Sequence, residues 1–223
     1  MGIGSQHDYG VGPMSWENLF KDLRIGRIAE TYPLTYMDLG TRDGFQDDLS
    51  VLAFAVHAIG FEPEPEEFVR LSNAGPGPWA TRRLLPFAVS SNGGSAVLYV
   101  SKDRDGSSLL SPLPAVGKRF NKTQFFDLER TVDVETRTLQ EALGASEIDS
   151  IDYLKIDIEG AELGVFEASS AVLDDTLVIK TEACYLPVRE GQGLVHEIDA
   201  CLVSSGFELM DLVCPAHWRR EGH

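Results

Sequence analysis

The sequence predicts an open α/β fold: one doubly wound, mostly parallel sheet in a single domain, with a lid-like insertion after the third core strand. Three observations predict it. Short apolar runs alternate with stretches whose apolar residues recur at helical spacing, the pattern of strand–helix–strand units. Acids stand at or near the ends of those runs, at Asp38, Glu62, Asp157 and Glu182, where open α/β sheets place their ligands. The chain has 223 residues, with no internal repeat and no long linker to divide it, which suits one domain with ample core.

Each element follows from local pattern. Residues 1–30 read as a tail and a lead-in helix, the helix spanning Ser15 to Ile28 on Leu19, Leu23 and Ile25, and 31–223 read as the domain. Leu34 to Leu39 is the first strand, and Gly40 to Gly44 a turn that opens a helix on Phe45, Leu49 and Leu52. Val56 to Phe61 is the second strand. Pro65 to Leu71 is a helix with Pro near its start and Glu66 and Glu67 in its first turn, where the dipole favours acids. Leu84 to Val89 is the third strand, interrupted by Pro86, and Ala96 to Val100 an additional one. Residues 101–131 lack periodicity and read as the insertion. Thr138 to Leu143 is a helix with a capping box from Thr138 to Glu141. Tyr153 to Ile158 is the fourth strand, Ala161 to Leu173 a helix and Leu177 to Thr181 the fifth strand. Leu194, Ile198, Cys201 and Leu202 mark one helix face, and Phe207 to Val213 closes as a strand.

Composition narrows the function. A net charge of −16 argues against a nucleic-acid backbone or an anionic membrane surface as partner, since both need a positive footprint. No run of apolar residues is long enough to span a bilayer. The N-terminal residues lack the pattern of a secretory signal. Cys184, Cys201 and Cys214 form no CxxC pair and read as reduced thiols, which points to a cytoplasmic protein. His57 reads as a satisfied structural residue, and His217 as a candidate for a substrate pocket.

Two motifs carry chemistry. Met37 to Gly44, MDLGTRDG, is a strand end and a glycine turn. Gly40 allows close backbone approach to a ligand, and a helix start beyond it offers free N–H groups to an anion. Asp38 suits an ammonium or hydroxyl donor. Glu62 ends the next strand, the place of an acid that takes two ribose hydroxyls. The Gly-xxx-Gly spacing disfavours a dinucleotide, and no P-loop is present. Tyr153 to Glu162, YLKIDIEGAE, puts Lys155, Asp157 and Glu159 into a run that should be buried, which is costly unless the charges are paired or used. Strand alternation puts Tyr153, Lys155 and Asp157 on one face.

These segments resemble the FkbM-type methyltransferases. The resemblance rests on MDLGTRDG, IGFEPEPEEF, PFAVSSNGGSAVLYVS, SSLLSP, TVDVETRTLQEAL and IDYLKIDIEGAEL, in the family's order from about Tyr36 to about Leu173. Thr41-Arg42 departs from it, since the family more usually carries Ala-Asn there. The resemblance implies a Rossmann-like class I methyltransferase that uses S-adenosylmethionine to methylate a hydroxyl of a sugar, glycan or secondary metabolite. It places the cofactor's methionine end at Asp38, Gly40, Thr41 and Gly44, its ribose at Glu62 and Pro63, and its adenine near Ala88, Val89 and Ser90, with Ser108 as a further contact. Asp157 is the first candidate base, with Lys155 and Glu159 beside it. Alternatively Asp157, Glu159 and Glu182 hold a divalent cation such as Mg²⁺. The insertion from Ser101 to Thr123 carries five cations against two acids, a local +3 suited to a polar or phosphate-bearing acceptor. Rival readings are a nucleotide-dependent oxidoreductase and a non-catalytic cofactor-binding or interaction module.

Overall fold

A computed structural model describes residues 20–213. The tail at 1–19, and with it the start of the expected lead-in helix, lies outside the described residues, as do Cys214 and His217. The chain enters through α1 (Arg24–Thr31), which packs on a 3₁₀ helix at Asp47–Ala55.

The main sheet has five strands, all parallel, in the order β3-β2-β1-β7-β8. They are β1 (Leu34–Leu39), β2 (Val56–Phe61), β3 (Thr81–Leu85), β7 (Ile151–Ile156) and β8 (Thr176–Thr181). Alternation divides their side chains between two layers. Met37, Leu39, Ile59, Phe61, Leu154 and Ile156 join the larger core. That core is closed by α5 (Leu139–Ser146), α6 (Glu162–Glu167), α7 (Ser170–Leu173) and α8 (Val195–Ser204). Tyr36, Val56 and Ala58 face the other way, into a cluster with Phe45, Leu49, Leu52, Trp79 and Tyr153. Its rings meet edge-on or tilted at centroid distances of 5.5 to 5.6 Å, the favoured aromatic geometries. Between β2 and β3 lies α2 (Pro65–Asn73), which starts at Pro65 and is capped by Glu64, whose carboxylate accepts from Glu67 N at 3.2 Å.

Five expectations change. The third strand is two pieces. Thr81–Leu85 belongs to the main sheet, and β4 (Ala88–Val89) to a second sheet of order β4-β6-β5. Pro86 has no N–H to give a ladder, so the chain leaves one sheet there and enters the other. The insertion at 101–131 is structured. It holds the end of β5 (Gly94–Ser101), a 3₁₀ turn at Arg104–Gly106, α3 (Pro114–Arg119), α4 (Thr123–Phe126) and the start of β6 (Leu128–Arg137). β5 and β6 pair antiparallel, and Leu98, Val100 and Val134 make their shared core. The element after Gly44 is the 3₁₀ helix, not an α-helix, and its backbone breaks at Leu49 (φ −111°, ψ 16°). The single helix expected over Ala161 to Leu173 divides at Ser169 (φ −125°) into α6 and α7. Phe207 to Val213 forms no strand. Gly206 (φ +90°) ends α8, Phe207 packs on the core, and Leu209, Met210, Leu212 and Val213 stand exposed with no ladder partner among the described residues.

The Thr138–Glu141 capping box is present, with Glu141 N donating to Thr138 Oγ1 at 3.2 Å and Thr138 N donating to Glu141 Oε2 at 2.8 Å. His57 is satisfied by Thr81, its register partner on β3, at 2.7 Å. Cys184 and Cys201 are free thiols. No helix among the described residues is long and apolar enough to cross a membrane.

Candidate functional site

A cleft of about 300 Å³ opens at the C-terminal ends of β1, β2 and β7, the place an open parallel sheet offers a ligand. Gly40, Glu62, Pro63, Ala88 and Val89 line one part of it, and Ser108, Asp157 and Glu159 another. The remaining expected contacts are not on its surface. Asp38 lies beneath it, and Thr41, Gly44 and Ser90 are not among its walls.

Register explains the floor. Asp38 on β1 is the partner of Lys155 on β7, and strand alternation points both side chains to the same side. Lys155 Nζ stands 3.0 Å from Asp38 Oδ1, off the line of a hydrogen bond, so the attraction is electrostatic. The ammonium also donates to Gly40 O at 3.2 Å and lies 3.9 Å from Asp157 Oδ2. Burial of Asp38 outruns the attraction of Lys155 and pushes its carboxyl up to about 7. Asp38 is thus buried and paired with Lys155 within the protein.

Gly40 has φ +84°, and a Cβ there would stand 2.2 Å from Asp157 O. Only glycine fits that crossing of the β1 and β7 loops. Thr41 serves the protein rather than the cleft. Its hydroxyl donates to Asp38 O at 2.8 Å and accepts from Phe61 N at 2.9 Å, tying the ends of β1 and β2 together. Gly44 closes the turn by donating from N to Thr41 O at 3.0 Å. The anion site expected at a helix start is absent from this loop, because the 3₁₀ helix carries Asp47 and Asp48 in its own first turn. Ser90 turns away, its hydroxyl on Asn92 O and its N–H on Arg137 O.

Glu62 is 3% exposed. It accepts from Glu64 N at 2.8 Å, and burial pushes its carboxyl up to about 7. Neighbouring Glu64 is fully buried and neutralised by Arg130 and, at 3.4 Å, Arg104. Two of the five cations expected to give this segment a positive face are paired within the protein. Arg104 is consumed by Glu64, and Lys102 pairs with Asp127 at 3.3 Å. What the segment shows the cleft is Asp105, Ser107, Ser108 and Leu109.

The opposite wall depends on a residue that local pattern does not disclose. Arg189, in the loop after β8, has a wholly buried side chain. It donates to Glu159 Oε2 at 2.5 Å, to Glu159 O, and to Gly106 O at 3.0 Å. Ser108 Oγ donates to the same Glu159 carbonyl at 2.8 Å. Glu159 sits in the left-handed region (φ 60°), as does Gly160 (φ 109°). Glu162 fixes that turn by accepting from Ile158 N at 2.9 Å and Gly160 N at 3.1 Å. Burial, then the charge of Glu182, raises the Glu159 carboxyl well above its usual range. Enclosure by protein atoms, then Asp157 and Glu162, pushes Glu182 up to about 7, although the residue as a whole keeps solvent exposure. Carboxylate oxygens of Asp157, Glu159 and Glu182 lie within 4.8 Å of one another. The expected trio is thus brought together, with Glu159 already bound to Arg189.

Comparisons with known proteins identify the family. Residues 38–209 match the family model described as "Methyltransferase FkbM domain". The chain is 28% identical over 192 residues to "2-O-methyltransferase NoeI" of Sinorhizobium fredii (strain NBRC 101917 / NGR234), covering 84% of this chain and 77% of that protein. No solved structure matches it significantly. A Rossmann-like α/β sheet, a ligand cleft at the strand ends and a family match over most of the chain make this protein a member of the FkbM methyltransferase family.

Proposed function

We propose that this protein transfers a methyl group from S-adenosylmethionine to a hydroxyl of a sugar, glycan or secondary-metabolite acceptor. The observation that carries the reading is that Glu62 and Asp157 line one cleft on either side of Gly40. The 2-O-methyltransferase relative supports oxygen as the methylated atom.

In this reading Glu62 accepts both ribose hydroxyls. Phe61, Ala88, Val89, Leu98 and Leu109 give the adenine an apolar wall. Methyl transfer is an in-line displacement: the acceptor oxygen forms a bond to the methyl carbon as the carbon–sulfur bond breaks, and the hydroxyl proton leaves to a base. Asp157 is that base. It is the carboxylate on this wall not held by an arginine, and the Lys155 ammonium stands 3.9 Å from it. Arg189 and Ser108 hold the Glu159 loop still, which fixes where Asp157 points.

Asp157, Glu159 and Glu182 form a hard oxygen donor set that fits Mg²⁺. Bound there, the ion would supply Lewis acidity to the acceptor hydroxyl. Chelation tests this: EDTA suppresses turnover and added magnesium restores it, whereas insensitivity to EDTA removes the ion from the account.

The function is tested by calorimetry with S-adenosylhomocysteine and by a methyl-transfer screen over glycans and glycosylated metabolites, read by the mass gain of one methyl. Asp157→Asn should keep S-adenosylhomocysteine affinity and lose roughly 10²- to 10⁴-fold in kcat. Absence of binding by the parent protein overturns the reading.

A further inference from the structure

Arg42 is the one cation among the described residues that line the cleft. The other ionisable side chains on its walls are all acids: Glu62, Asp105, Asp157 and Glu159. Arg42 is half-buried, and among the described residues it makes no hydrogen bond and no ion pair within 4 Å. The neighbouring cations are committed elsewhere: Lys155 to Asp38, Arg104 and Arg130 to Glu64, and Arg189 to Glu159. No helix start replaces it, since Asp47 and Asp48 occupy the first turn of the 3₁₀ helix that follows.

A ligand with an amino-acid end brings a carboxylate into this cleft. Against the acids of the cleft that no arginine pairs, Glu62, Asp105 and Asp157, that carboxylate is repelled unless a cation meets it. A guanidinium is suited to the task, because its planar fork matches a carboxylate with two parallel hydrogen bonds. Arg42 stands two residues beyond Gly40, and its charge holds down the proton affinity of both Glu62 and Asp105. It lines the same cleft as Glu62 and as Asp105 of the 3₁₀ turn at Arg104–Gly106.

We propose that Arg42 binds the carboxylate of the cofactor's amino-acid end and makes the cleft selective for ligands that keep it. The inference rests on the S-adenosyl reading given above.

The test is calorimetry on the full chain with two probes, S-adenosylhomocysteine and its decarboxylated analogue, which keeps the ammonium. The parent should bind S-adenosylhomocysteine roughly ten-fold more tightly than the analogue, the worth of one charge-assisted pair. Arg42→Gln should erase that preference by weakening S-adenosylhomocysteine alone, and Arg42→Lys should retain part of it. A melting curve on each variant confirms that it is folded. If Arg42→Gln keeps the preference, or weakens both probes equally, the inference is overturned while the S-adenosyl reading stands. If the parent binds neither probe, that reading fails and takes this inference with it.

Discussion

Two buried ion pairs flank the cleft, and they are built in opposite ways. Asp38 and Lys155 are register partners on adjacent central strands, so pairing of β1 with β7 is enough to bring them together. Glu159 and Arg189 come from two loops, and the same guanidinium also holds Gly106 O from a third segment. The first pair follows from the sheet; the second helps to make the wall it sits in. A pair of the first kind can be exchanged as a unit, whereas one of the second kind cannot be removed without leaving backbone acceptors behind.

Removing one partner from either pair should have the largest effect, because it strands a buried charge. Lys155→Met and Arg189→Met should each cost about 3–5 kcal/mol by chemical denaturation. The double variants separate the two designs. Asp38→Asn with Lys155→Met should recover more than half of that loss, since Gly40 O is the one backbone acceptor that loses the Lys155 donor. Glu159→Gln with Arg189→Met should recover less, because the carbonyls of Gly106 and Glu159 lose a donor, at about 1–3 kcal/mol for each buried unsatisfied group. Equal recovery in the two doubles would erase the contrast.

A smaller effect sharpens the first region. Gly40→Ala sets a left-handed φ and a 2.2 Å clash with Asp157 O against each other's relief, and should cost about 2 kcal/mol or more. Gly44→Ala has a similar φ but open space around the new Cβ, so about 1 kcal/mol is expected. A melting series on both variants compares crossing with strain alone.

Glu62 gives an effect of comparable size, and one that changes sign with the measurement. Its carboxyl is raised from 4.5 to about 7 in the folded protein by burial. The folded state therefore holds a proton that the unfolded state has lost between those two values, and the Glu62 contribution to stability is full below the lower value and lost as pH rises through the upper one. Glu62→Gln should stabilise the ligand-free protein at pH 8 by on the order of 2 kcal/mol. It should leave stability near pH 4 unchanged, and it should weaken S-adenosylhomocysteine. Denaturation at the two pH values, beside calorimetry, checks both signs.

The parts of the site carried by strands were legible in the sequence. Apolar runs ended by acids placed Asp38, Glu62 and Asp157 at strand ends, and a glycine after the first run marked the loop crossing at Gly40. For Asp38 a one-dimensional pattern gives its face but not Lys155, its partner across the ladder. β6 was hidden behind a stretch rich in Ser, Gly and Pro, although the Val132–Val134 alternation in TVDVET was a usable signal. Arg189 had no such signal: one arginine in a Pro- and Gly-containing loop looks like a solvated residue.

The sequence alone determined the fold class, the family and the acids at the strand ends, because burial and period are written locally along the chain. Tertiary structure decided which charges are spent and which are free. Lys155, Arg104 and Arg189 are neutralised by residues distant in the chain, and Arg42, among acids, has no ion-pair partner among the described residues. The reason is physical: a charge is priced by what surrounds it after burial, and those surroundings exist only once separate loops have met.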